Sequence, residues 1–176
     1  TLPPDALYEV IDGEAKEIAP MGAVSTVFAS ELAIRLVGAR RSPRDVIAVE
    51  TLFALPAPVN RRRRPDLAYL AEDRVPASWP PPLGSDPPFI DAVPSLAVEV
   101  VSPTDLAAEL EEKLREYLSV GVMTVLIVYP MERTIYVHES KSRVRALTVT
   151  DTLDVGNALP GFSVKIAELF APLTRQ

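Results

Sequence analysis

Apolar positions along the chain change their period several times, and each change marks an element. "YEVIDGEAKEI" is two short runs on either side of Asp12-Gly13, a strong signal for a tight hairpin turn. In "GAVSTVFASELAIRLVGARR", Val24, Phe28, Leu32 and Leu36 recur every four residues, with Ala29 and Ala33 beside them. That spacing predicts an amphipathic helix. "DVIAVETLFAL" and "DLAYLA" predict strands. "SLAVEVVS" is apolar almost throughout and broken by one glutamate, as expected of a central strand covered on both faces. "SPTDLAAELEEKLREYLSVG" predicts a helix with Ser102 or Thr104 as N-cap, Gly121 as C-cap, and a stripe of Leu106, Leu110, Leu114 and Leu118. "MTVLIVYP", "TIYVHES" and "RVRALTVT" predict three strands, and "VGNALPGFSVKIAELF" a turn with a short closing helix. The expectation is an α/β or α+β fold: a mixed sheet flanked by helices and opened by an N-terminal β-hairpin. No repeat or boundary interrupts the series, so residues 1–176 are expected to form one domain.

Composition narrows the chemistry. With 48% hydrophobic residues and a net charge of −6, the chain can bury a substantial core but lacks the basic face that wraps nucleic acid. A local basic groove stays compatible with that balance. There is no cysteine and one histidine, which removes disulfides and thiolate metal sites and argues against zinc. The longest apolar run, "VGVMTVLIVY", is about half of a bilayer span. No charged-then-apolar leader opens the chain, and from the missing initiator methionine an N-terminus that has been processed or trimmed is expected. A cytoplasmic protein is expected. Residues 75–94, "VPASWPPPLGSDPPFIDAVP", hold seven of the eighteen prolines and the only tryptophan. They predict an extended surface loop, with a lid or dimer arm as the alternative.

Phosphate loops, dinucleotide-binding glycine motifs and nucleophile elbows are absent. His138 falls in an alternating strand pattern and reads as a sheet-surface residue. What remains is acidic residues in apolar strands. Glu99 lies between Val98 and Val100, and Asp66 precedes Leu67. A carboxylate so placed costs several kcal/mol unless it is paired or bound to metal, so these two carry the functional expectation. Capping or ion pairing, Asp66 with Arg64 for instance, is the structural alternative. On the second predicted helix Lys113 and Glu109 share the flank of the leucine stripe, four residues apart. An ordinary surface ion pair between them is the competing reading.

Together these fragments resemble the PD-(D/E)XK nuclease superfamily and, within it, the Uma-type restriction-endonuclease-like family. The likeness runs from "YEVIDGEAKEIAP" through "PDLAYL", "LAVEVVSPT", "EKLREYLSVGV" and "IVYP" to "LPGFSVKIAELF". It implies a restriction-endonuclease-like fold and a metal-dependent endonuclease acting on DNA. Asp66 and Glu99 would hold Mg²⁺ or Mn²⁺, and Lys113 would complete the catalytic group. The resemblance also makes Glu31, on the first helix, and Glu109 candidates for extra site residues. Arg61, Arg62, Arg63 and Arg64 would guide a phosphate backbone towards Asp66, the competing reading being a solvated basic loop. A homodimer is expected from two-strand cleavage and from Trp79 and Phe89 in the proline-rich segment. Departures exist: Val101 replaces the parent motif's lysine, Val24 a histidine usual near the start of the first helix, and Tyr129 an aspartate before Pro130. Val125 and Leu126 stand where the family carries an aromatic pair. The loss of the histidine favours a second reading, a catalytically inactive nuclease-fold module that binds nucleic acid or protein; a structural or oligomerising domain using the proline-rich segment is the third.

Overall fold

The computed structural model describes residues 3, 6–85 and 88–174. Strands β1 (Tyr8–Ile11) and β2 (Glu14–Glu17) pair antiparallel. Asp12 and Gly13 turn between them with φ of 53° and 83°, the left-handed pair that a tight hairpin turn requires. Helix α1 (Ala23–Gly38) buries Phe28, Ala29, Leu32 and Leu36 completely, each large side chain contributing about 1.5–3 kcal/mol. Val24 departs from the expected stripe and is 45% exposed, because the surface α1 covers begins one turn later.

"DVIAVETLFAL" divides into β3 (Val46–Val49) and β4 (Phe53–Leu55), which lie in different sheets. Glu50, with φ of 44°, turns the chain from one to the other. The arginine run itself forms β5 (Arg61–Arg63), between β1 and β4 in a four-stranded sheet ordered β2-β1-β5-β4.

The larger sheet adds β6 (Leu67–Leu70), β7 (Leu96–Val100), β8 (Thr124–Tyr129), β9 (Thr134–His138) and β10 (Val144–Leu147). Its order is β10-β9-β8-β7-β6-β3, with only β7 and β8 parallel. A parallel neighbour needs a crossover, and helix α2 (Ala107–Ser119) supplies it. The predicted N-cap is not used: Leu106 occupies that position, and Ser102 instead donates through its backbone and hydroxyl to Asp105. Gly121, with φ of 92°, follows the helix end as expected, while Val122 N–H bonds Tyr117 O at 3.0 Å. Leu106 is 61% exposed, so the apolar stripe starts at Leu110. A small hairpin of β11 (Thr152–Leu153) and β12 (Val164–Lys165) leads to α3 (Ile166–Phe170).

The large sheet is covered on both faces, as the run "SLAVEVVS" required. Leu96, Val98 and Val100 face α1 and α3 within one core. Ala97 joins the second core, with Ala68, Leu70, Val125, Ile127 and Tyr117 of α2. Trp79 packs on that second core, and Phe89 lies under the Arg62 guanidinium, 4.0 Å from its ring centre. The two aromatic residues named in the dimer expectation, both still partly exposed, thus pack against their own chain. The expected arm also includes residues 86 and 87, which lie outside the described residues. Among the described residues no helix is long and apolar enough to cross a membrane.

Candidate active site

Side chains alternate along a strand, so Glu99 shares the face of Ala97 and points towards α2. In the β6–β7 register Leu67 lies opposite Val98. One step further along that register sets Asp66 opposite Glu99, and directly opposed residues of an antiparallel pair project to the same face. Asp66 Oδ2 accepts from the Val100 backbone N–H at 2.6 Å. The two acids expected from the sequence are thus neighbours on one face of the sheet.

Helix α2 brings the other groups. Lys113 and Tyr117 are one turn apart and both reach down to Glu99, which is 6% exposed. Tyr117 Oη donates to Glu99 Oε1 at 2.7 Å, and Lys113 Nζ to Glu99 Oε2 at 3.2 Å. The surface pair with Glu109 does not form. Lys113 instead takes Glu9 as its second partner, Nζ to Oε1 at 3.1 Å, and Glu109 is exposed. Glu31 sits on α1, which covers the opposite face of the sheet, and no hydrogen bond or ion pair among the described residues joins it to the acids. Neither Glu31 nor Glu109 belongs to the cluster that the fold assembles.

Charge in this cluster is tightly coupled. Burial first, and the neighbouring Glu99 second, push the Asp66 carboxyl up to about 7. Burial likewise raises Glu99 above the usual carboxylate range, against the pull of Lys113. For Lys113, burial works against the charge, but Glu99 and Glu9 outweigh it and hold the ammonium charged well above its ordinary value. Glu9 is lowered: burial would raise it, yet Lys113, the Arg64 backbone N–H and Arg63 together prevail. Burial drives the Tyr117 hydroxyl far above its ordinary value, so it serves as a donor.

The arginine run divides by strand parity. Arg61 and Arg63 face α2, where Arg63 pairs with Glu9, Glu112 and Glu116, and Arg61 with Asp12, Glu112 and Glu116. These two guanidiniums fasten the small sheet to α2 and are already neutralised. Arg62 stacks on Phe89, and Arg64 donates to the Glu50 and Tyr8 carbonyls. The cationic guide expected at all four positions is reduced to Arg62 and Arg64.

Two contributors escaped the sequence reading, Glu9 and Tyr117. Tyr117 carried a usable signal, since it stands four residues after Lys113 on the same helix. Glu9 carried only its place between Tyr8 and Val10 in a short strand, where an acid normally reads as solvated.

Asp66 and Glu99 offer hard oxygen donors on one face, where burial and the neighbouring Glu99 make negative charge on Asp66 costly. Among the described residues no three histidine, cysteine, aspartate or glutamate side chains make a ready-made cage. Two carboxylates still fit Mg²⁺ or Mn²⁺, since Mg²⁺ commonly takes one or two protein carboxylates and completes its shell with water and phosphate oxygens.

The sequence matches the model of the Uma2 family, described as "Putative restriction endonuclease", over residues 1–168. No curated protein matches it. A crystal structure described as "a putative nuclease belonging to DUF820" from Anabaena variabilis superposes with a TM-score of 0.79 at 16% identity, covering 95% of this chain and 91% of that one. At that identity the likeness establishes a shared nuclease-type fold.

Proposed function

The chain belongs to the Uma2 family, and from that premise we propose that it is a divalent-metal-dependent endonuclease acting on DNA. The observation that carries the reading is the Asp66–Glu99 pair on one sheet face, with the Lys113 ammonium 3.2 Å from Glu99. Asp66 and Glu99 would hold Mg²⁺ or Mn²⁺, which supplies Lewis-acid activation of water and phosphate when bound. Lys113 places a fixed positive charge beside the acids, where it stabilises charge building up on a phosphate. Tyr117 fixes the Glu99 carboxylate, and Arg62 and Arg64 remain to meet a phosphate backbone. A homodimer that presents one such site to each strand of a duplex is part of this proposal.

A second reading, a nuclease-fold module that binds without cutting, is favoured by one feature. Both Glu99 oxygens already accept from the protein's own donors. The experiment that decides is DNA cleavage with Mg²⁺ or Mn²⁺ by the wild type, Lys113→Met and Lys141→Met. Cleavage that depends on the ion, is lost in Lys113→Met and survives in Lys141→Met supports the nuclease. Binding without cleavage supports the module, and full activity of Lys113→Met removes the lysine from the chemistry.

A further inference from the structure

Glu9 is 2% exposed, and the chemistry described so far gives its carboxylate no task. Its Oε1 accepts from Lys113 Nζ at 3.1 Å and from the Arg64 backbone N–H at 2.9 Å, while Oε2 accepts from Arg63 Nη1 at 2.8 Å. Arg63 is itself gripped by Glu116, Nε to Oε2 at 2.6 Å. Two of the three donors that fix Glu9 are therefore independent of Lys113. The ammonium lies between two carboxylates at nearly equal distance, 3.1 Å from Glu9 and 3.2 Å from Glu99.

Those two carboxylates are not equivalent. Glu99 shares its sheet face with Asp66, and its oxygens already accept, Oε1 from Tyr117 and Oε2 from Lys113, so a cation held by the pair shares a Glu99 oxygen with one of these donors. An ammonium with Glu99 as its sole partner would compete for that oxygen. With Glu9 beside it, anchored by Arg63 and the β5 backbone, the ammonium keeps a counter-charge when Glu99 turns away. We propose that Glu9 is the positioning residue of this site, holding the Lys113 ammonium while Glu99 serves a divalent cation. Strand β1, and with it the N-terminal hairpin, then becomes part of the functional centre. The inference rests on the metal-dependent reading above. Its rival is that Glu9 only neutralises Arg63, in which case its removal acts on folding and does so whether or not Lys113 is present.

The test is Mn²⁺ binding to the full chain without DNA, followed by the electron paramagnetic resonance of free Mn²⁺, for the wild type, Glu9→Gln, Lys113→Met and the double variant. Glu9→Gln is expected to weaken binding about tenfold, the lower range for loss of a group supporting a metal ligand, and to change nothing further in the Lys113→Met background. Glu116→Gln removes the other main partner of Arg63 without touching Lys113, so it should lower the melting temperature and leave Mn²⁺ affinity alone. Should Glu9→Gln fail to fold, Glu9→Asp takes its place in the cycle, keeping the charge but drawing it back from Lys113. Equal weakening in both backgrounds, or an equal effect of Glu116→Gln, overturns the proposal. Wild type that binds Mn²⁺ with unchanged affinity in Glu9→Gln overturns this proposal alone. Wild type that binds no Mn²⁺ overturns the metal reading, and this proposal with it.

Discussion

Replacing Asp66 with asparagine removes a charge that its surroundings oppose, while keeping an oxygen that can accept from the Val100 N–H. Burial, and then Glu99, move the Asp66 carboxyl from its ordinary 3.8 to about 7. A gap of about three units corresponds to roughly 4 kcal/mol as an upper bound. Asp66 is only partly buried, so solvent screening leaves about 1–2 kcal/mol to be observed. The folded chain holds this proton more tightly than the unfolded chain. Its stabilising contribution is therefore complete below about pH 4 and is lost as pH rises through about 7. Above pH 7 the wild type carries an ionised Asp66 at a cost that asparagine avoids. Urea unfolding without metal at pH 8 should show Asp66→Asn more stable by about 1–2 kcal/mol, with the difference vanishing near pH 4. Adding Mn²⁺ at pH 8 should raise the stability of the wild type but not of the variant. If Asp66→Asn is less stable than the wild type by the same amount at both pH values, the carboxylate is a satisfied structural group. If Mn²⁺ then also fails to stabilise the wild type, Asp66 is no ligand.

Tyr117→Phe leaves the buried Glu99 one donor short and should cost about 1–3 kcal/mol in thermal unfolding; an unchanged melting temperature would show that the hydroxyl does not secure Glu99. Arg63→Met strands Glu9 and Glu116 without their shared cation and should cost about 3–5 kcal/mol. Arg62→Ala, which gives up only the stacking on Phe89, should cost about 0.5–1 kcal/mol. The same Arg62→Ala change should lower the slope of DNA affinity against salt by about one if this arginine meets phosphate, as read by fluorescence anisotropy. Equal stability losses at the two arginines would contradict the division of roles by strand parity.

The elements written in neighbouring residues were legible in the chain itself. Asp12-Gly13 needs only its own backbone preferences to turn a hairpin, and the four-residue spacing of Phe28, Leu32 and Leu36 is a property of one helix. Glu99 and Asp66 stood out because an acid beside an apolar run is costly, and the fold sets both on one face. The fragments that matched a nuclease-type pattern made Lys113 a candidate, whereas spacing alone pointed to a surface pair with Glu109. Other features depended on partners far along the chain. Four consecutive arginines read as a phosphate guide or a solvated loop, whereas pairing with β1 and β4 makes three of them a strand and Glu112 and Glu116, roughly fifty residues later, take up Arg61 and Arg63. Val24 and Leu106 extend their stripes by one position too many, because periodicity continues where the covering surface stops. Glu9 is the clearest case. In sequence it is one acid in a short hairpin, yet Lys113, Arg63 and the Arg64 backbone close around it from a helix and from the end of one other strand. Local pattern fixes which face a side chain takes on its own element; whether that face meets solvent, a core or a counter-charge is decided only when distant elements pack.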